Sequence, residues 1–332
     1  MRILTMLQHG GRLRAAARQQ GIALHHWLDL STGLNPHGWP VPALDPQCWA
    51  RLPEEGDGLE EAAREYYGAQ NLLPVAGSQV AIQALPRLRA SCRVAIMAPG
   101  YREHEQAWRA AGHAVQLLSV EQLRHELPAC EVLVLIHPGN PGAERFSVAE
   151  LLAWQAEMAA RGGWLLLDEA FIDCTPGASL AMHAGRPGLI VLRSLGKFFG
   201  LAGIRVGFVL APPAVLTPLR ELLGPWSISG PARAVATLAL QDKAWQDSMR
   251  VQLEAESSRL SDLLRQHHLP PTAGCALFQW VRTPQAPQLH RALAQRAILT
   301  REFENPASLR FGLPADEAGW ARLDNALTEI NP

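Results

Sequence analysis

The chain has 332 residues, a formal net charge of −1 at pH 7 and 18% charged residues, enough length to bury a sizeable core and close to the size at which chains divide into domains. Near-neutral charge excludes the electrostatic footprint of a nucleic-acid or acidic-membrane binder. No stretch approaches the ~18 consecutive apolar residues of a membrane helix, so a small molecule is the expected partner.

The opening MRILTMLQHGGRLRAAARQQG lacks an apolar core long enough for a signal peptide. It reads as a glycine turn at His9, Gly10 and Gly11 leading into a short helix, and LDLSTGLNPHGWP after it as extended and loop-rich. Both are assigned to an N-terminal arm over residues 1–40, packing with a small domain. Five cysteines (Cys48, Cys92, Cys130, Cys174 and Cys275) form no C-x-x-C pair. Their odd count fits reduced thiols and a cytoplasmic protein.

Between 41 and 225, short apolar runs ending in turn residues recur at 93–100, 131–142, 163–171, 189–197 and 206–213. Each reads as a buried strand opening at its C-terminal end into a loop. Helical patterns lie between them, one at 147–163 carrying a capping box at Ser147 and Glu150. Strands alternating with helices predict an α/β domain with a mainly parallel sheet. From 226 to 332 the texture changes to long helices over 231–267 and short strands at 276–281 and 308–313, a smaller α+β domain.

Ligands of parallel α/β sheets collect outside the carboxyl ends of the strands. There the sequence places His137 and Asn140, then Asp168, then Ser194 and Lys197. Taken singly, Asn-Pro-Gly is ordinary turn chemistry and an Asp after an apolar run is a common helix cap. Lys197 stands out, because an apolar neighbourhood disfavours its ammonium and frees a nucleophilic amine. Glycines at 196, 200, 203 and 207 allow close backbone approach to a ligand, and Arg205 offers a planar, permanently charged fork suited to phosphate.

The run from Arg193 to Phe208, RSLGKFFGLAGIRVGF, resembles the cofactor-lysine segment of fold-type I pyridoxal-phosphate enzymes, the aspartate aminotransferase superfamily, in its histidinol-phosphate aminotransferase branch. AGSQVAI (76–82) is similar to the branch's cofactor-phosphate segment, HPGNPGA (137–143) to its Asn-Pro-Thr-Gly element, and LLLDEAF (165–171) to its Asp-Glu-Ala segment. The resemblance spans nearly the whole chain in the family's order. It implies pyridoxal 5′-phosphate held covalently by Lys197, with Asp168 at the pyridine nitrogen and Asn140 at the phenolic oxygen. It also implies a phosphate cradle of Gly77, Ser78 and Gln79 amides with Ser194 and Arg205. The family's ring-stacking aromatic falls on His104, with Tyr101 as the neighbouring alternative. Phe171, Gly196 and Leu52 replace a tyrosine, a Ser or Thr, and a tyrosine reaching the partner subunit.

Arg310 matches the arginine that holds the substrate carboxylate across the superfamily, and Arg301 a second arginine met by phosphate-bearing substrates. The arm, with its His-Gly-Gly and Ser-x-x-x-Asn-Pro segments, resembles members of the branch that decarboxylate phosphothreonine in cobalamin biosynthesis. His9, Gly10, Gly11 and Asn35 would then line the substrate end of the pocket, the turn's amides being suited to a phosphate. The resemblance thus implies a homodimeric carboxy-lyase that converts O-phospho-L-threonine to an aminopropanol phosphate and carbon dioxide. In this enzyme Arg310 could take either anionic group, because a carboxylate gripped tightly in the ground state opposes its own departure. The rivals are an aminotransferase of the same branch and a ligand-sensing, non-catalytic domain. No metal site is expected, since His25-His26 and His267-His268 lack ligand spacing.

Overall fold

A computed structural model of the chain describes residues 9–330. Residues 1–8 of the expected arm and 331–332 of the expected C-terminal domain lie outside the described residues. The chain divides into two compact units, one from the described parts of Met1–His37 and Met249–Pro332 with Pro141–Ala143, the other from Gly38–Asn140 and Glu144–Ser248.

The first unit opens with α1 (Leu13–Gln20), which stops where Gly21 takes φ +67°, and β1 (Leu28–Asp29). The second unit then runs through α2 (Gln47–Ala50), α3 (Leu59–Tyr67), β2 (Leu72–Val75), α4 (Ser78–Ala84), β3 (Arg93–Met97), α5 (Glu103–Ala110), β4 (Ala114–Leu118) and α6 (Val120–His125). It continues with β5 (Val132–Ile136), α7 (Val148–Ala160), β6 (Trp164–Asp168), β7 (Leu189–Ser194), β8 (Gly207–Leu210), α8 (Pro213–Leu223) and α9 (Gly230–Gln241). The first unit resumes within α10 (Lys243–Gln266) and continues with β9 (Ala273–Cys275), β10 (Phe278–Arg282), α11 (Ala286–Gln295), β11 (Ile298–Leu299), β12 (Arg301–Glu304), β13 (Ala307–Gly312) and α12 (Glu317–Ile330).

The seven-stranded sheet of the second unit has the order β2-β8-β7-β6-β5-β3-β4. β3 to β7 pair in parallel, while β8 runs antiparallel to both β7 and β2. Val94, Ile96, Val132, Val134, Leu166, Ile190, Leu192 and Val209 form one buried cluster on this sheet, each side chain contributing ~1.5–3 kcal/mol by leaving water. The expected capping box starts α7, with the Glu150 amide donating to Ser147 Oγ at 3.1 Å. Because β5, β6 and β7 are adjacent and parallel, their carboxyl ends share one edge, with Ile136 beside Asp168 and Asp168 beside Leu192.

The expected boundary at 225/226 moves to 248/249. α9 belongs with the second unit because its Arg233 holds Asp57 at 2.6 Å and Glu60, on α3, at 2.8 Å. In the first unit, β12-β13-β10-β9 form an antiparallel sheet, and β1 pairs in parallel with β11. The described arm is thereby tied to the C-terminal part by backbone hydrogen bonds, Leu30 N donating to Leu299 O at 2.8 Å.

Candidate active site

In the second unit the site grows from three neighbouring strand ends. Asp168, the last residue of β6, is 4% exposed, and its Oδ1 accepts the Ala170 amide at 3.2 Å. Its Oδ2 lies 2.9 Å from His104 Nε2, so the imidazole meets the carboxylate with its edge. Lys197, half-buried three residues beyond β7, holds Nζ 5.2 Å from the centre of the buried Phe171 ring. Phe171 lies three residues beyond Asp168, on the loop that leaves β6.

The residues expected around a phosphate come together. Gly77 has φ +78°, and a Cβ there would sit 2.7 Å from an Arg205 guanidinium nitrogen. Ser194 pairs with Gly207 across β7 and β8, and a Cβ on Gly207 would lie 2.7 Å from the Ser78 amide nitrogen. Glycine at 77 and 207 is therefore what lets a guanidinium, a helix-opening amide and a serine crowd together. Nearby, Tyr101 OH donates to Gln79 Oε1 at 3.1 Å and Gln79 Nε2 donates to Glu103 Oε2 at 2.8 Å. Burial, with Glu103 adding, pushes the Tyr101 phenol up to about 12, so it serves as a neutral donor.

Asn140 lies near the start of a loop closed by the Gly139 amide donating to the Glu144 carbonyl at 2.9 Å. The Glu144 carboxyl folds over Gly139, and its own burial raises its pKa. A network not read from the sequence lies behind the strand ends. Arg193 holds Glu169 at 3.3 Å, bonds to Asp173, and donates to Ser179 Oγ at 3.0 Å, all three charged groups being buried. The signal for it was strand alternation: Arg193 and Ser194 face opposite sides of the sheet, as do Asp168 and Glu169. A carboxylate fixed by a histidine, a lysine beside an aromatic ring and a glycine-opened guanidinium cradle form a donor set that fits pyridoxal 5′-phosphate.

In the first unit, Arg301 of β12 stands directly opposite Arg310 of β13. Directly opposed residues put their side chains on one face, where like charges repel. Arg310 is 5% exposed, its guanidinium 5.0 Å from the Phe278 ring centre, and burial pulls its pKa down to about 10. Burial lowers Arg301 as well. Arg310 Nη2 donates to the Ser31 carbonyl at 2.8 Å. The expectation that the Gly11 amide cradles a phosphate gives way, because that amide donates to Ser31 Oγ at 2.8 Å. Asn35 is buried, its Oδ1 accepting the His37 amide at 2.8 Å, and His9 is half-buried.

Residues 53–326 match the family model described as aminotransferase class I and II. The chain is 56% identical over 322 residues to a threonine-phosphate decarboxylase of Pseudomonas aeruginosa, covering 97% of each. It is 40% identical to another of that name from a Sinorhizobium species, covering 97% of this chain and 98% of the relative. Its fold matches a histidinol-phosphate aminotransferase from Clostridium acetobutylicum with a TM-score of 0.82 at 19% identity, covering 92% of this chain and 99% of the other.

Proposed function

The chain belongs to the aminotransferase class I and II family, and on that premise we propose that it decarboxylates O-phospho-L-threonine to an aminopropanol phosphate and carbon dioxide. The observation that carries this reading is the likeness along almost the full length to two proteins named for that reaction. The Arg301–Arg310 pair, half-buried and buried, supports it by offering two adjacent cations to a phosphorylated substrate. Bound in the second unit, pyridoxal 5′-phosphate supplies an aldehyde for amines and an electron sink for the pair left behind by carbon dioxide.

The residues do the rest. Lys197 Nζ is the anchoring amine and afterwards carries a proton to the substrate Cα. Asp168 keeps the pyridine nitrogen protonated, and His104 holds that carboxylate in place. An imidazole engaged edge-on is badly placed to stack, so the ring face is assigned to Tyr101 instead of His104. Its hydroxyl is fixed by Gln79. Asn140 donates to the phenolic oxygen. The amides of Gly77, Ser78 and Gln79, with Ser194 and Arg205, hold the cofactor phosphate. Arg301 and Arg310 hold the substrate's phosphate, which keeps its charge throughout the reaction, while the departing carboxylate is left loosely held. His9, Gly10, Gly11 and Asn35 shape that end of the site.

A homodimer is part of the proposal, as is work in cobalamin biosynthesis and in the cytoplasm, where scattered thiols stay reduced. Incubation of the holoenzyme with O-phospho-L-threonine should release carbon dioxide with no requirement for a 2-oxo acid. Glutamate formation from histidinol phosphate and 2-oxoglutarate, without carbon dioxide from phosphothreonine, would make it an aminotransferase.

A further inference from the structure

We infer that Ser31 is a positioning residue that locks the Gly10–Gly11 turn and the Arg310 guanidinium into one arrangement, and so sets the grip on the substrate's phosphate. This rests on the function proposed above. Ser31 is buried just after β1, and three of its atoms are committed. Its hydroxyl donates to Asp29 Oδ1 at 2.6 Å, and its amide donates to the same oxygen at 2.9 Å. An ionised carboxylate only accepts, so the hydroxyl proton points at Asp29, and what the Gly11 amide meets at 2.8 Å is a lone pair.

The carbonyl of Ser31 accepts Arg310 Nη2 at 2.8 Å. Gly10 presses on that same oxygen, since a Cβ at position 10 would lie 2.2 Å from it. Turn and guanidinium are therefore joined through one residue, whose hydroxyl holds the Gly11 amide and whose carbonyl holds Arg310 while abutting Gly10. Gly33, at φ +58°, flanks the far side, where a Cβ would stand 3.4 Å from Arg310 Cζ. Because Arg301 is opposite Arg310 in the ladder, any shift of Arg310 changes the spacing of the two cations. A guanidinium held in place before the anion arrives loses less freedom on binding, and that advantage is what Ser31 supplies.

The test uses the holoenzyme and three variants, Ser31→Ala, Ser31→Thr and Gly10→Ala, with O-phospho-L-threonine and unphosphorylated L-threonine as substrates. Ser31→Ala should raise KM for phosphothreonine about tenfold, the worth of one hydrogen bond of ~1.4 kcal/mol, with kcat within about twofold. Turnover of L-threonine should keep its kcat/KM within about twofold, and Ser31→Thr, which keeps the hydroxyl, should restore the phosphothreonine KM. Gly10→Ala should reproduce the KM effect with the hydroxyl intact. An unchanged KM, an equal loss of kcat/KM for both substrates, or a loss of kcat that only tracks the fraction of folded protein would each overturn the inference while leaving the reaction in place. Absence of wild-type turnover would remove the reaction and the inference with it.

Discussion

His137 has no solvent exposure at the end of β5, where its Nε2 donates to the Ala178 carbonyl at 3.2 Å and its Nδ1 accepts the Phe146 amide at 3.4 Å. Both bonds suit the neutral ring, and burial pushes its pKa down to about 4 from an ordinary 6.5. With the folded pKa below the unfolded one, the group costs nothing above pH 6.5. As pH falls from 6.5 to 4 the unfolded chain takes up the proton first, and stability declines by up to ~3 kcal/mol. Urea unfolding at pH 7, 5.5 and 4.5 should show this decline in the parent and a shallower one in His137→Gln; equal slopes would remove His137 as its source. At the same scale, Tyr101→Ala should weaken cofactor retention by up to about tenfold and Tyr101→Phe should largely preserve it, the worth of one aromatic stack. Equilibrium binding of pyridoxal 5′-phosphate measures this, and unaltered binding in Tyr101→Ala would return the ring face to another residue.

The ends of β6 and β7 are joined behind the site by Arg193, which bonds to Glu169 and Asp173, while Tyr66 OH donates to Asp173 Oδ1 at 2.9 Å. Ser179 Oγ and the Leu180 amide complete the shell of Glu169 at 2.5 Å and 2.8 Å. Burial pushes Glu169 up, against the pull of Arg193. Glu169 adjoins Asp168 and Arg193 adjoins Ser194, so the clamp fixes the spacing of the two loops that carry the proposed chemistry. Arg193→Met strands two buried carboxylates and should cost about 3–5 kcal/mol, whereas adding Glu169→Gln and Asp173→Asn to it should recover part of the loss. Denaturant midpoints decide this; a single variant as stable as the parent would show that the clamp carries no such load.

At the scale of the molecule, the second unit leaves large apolar side chains in water, Trp49 at 72%, Leu52 at 63% and Trp226 at 61% exposure. Trp49 rides on α2, which packs on α9 with Cys48 against Gly230, and Trp226 leads into α9. Such clustering marks an association surface, and the proposed homodimer is its occupant. Trp49→Glu with Trp226→Glu should therefore sediment as monomer where the parent sediments as dimer; a monomeric parent would end that proposal. Much of this was legible in the sequence, because β5, β6 and β7 are built on apolar runs whose carboxyl ends, at His137, Asp168 and Ser194, fall at one sheet edge. β2 was not, since Pro74 argues against a strand and is tolerated only at the sheet edge where β2 lies. Nor was β4, an edge strand of sequence AVQLL whose short apolar run has no alternation to separate strand from helix. Strand alternation separates Arg193 and Glu169 from the site face, but their pairing, like that of Ser31 with Gly11 and Arg310, joins residues 20 or more apart, and at that separation periodicity names no partner. The central claim is that the Lys197 amine carries the cofactor. Borohydride reduction of the holoenzyme followed by peptide mass spectrometry should find the added pyridoxyl phosphate mass on Lys197 and none in Lys197→Ala; the same mass on another lysine, or on none, would contradict the account.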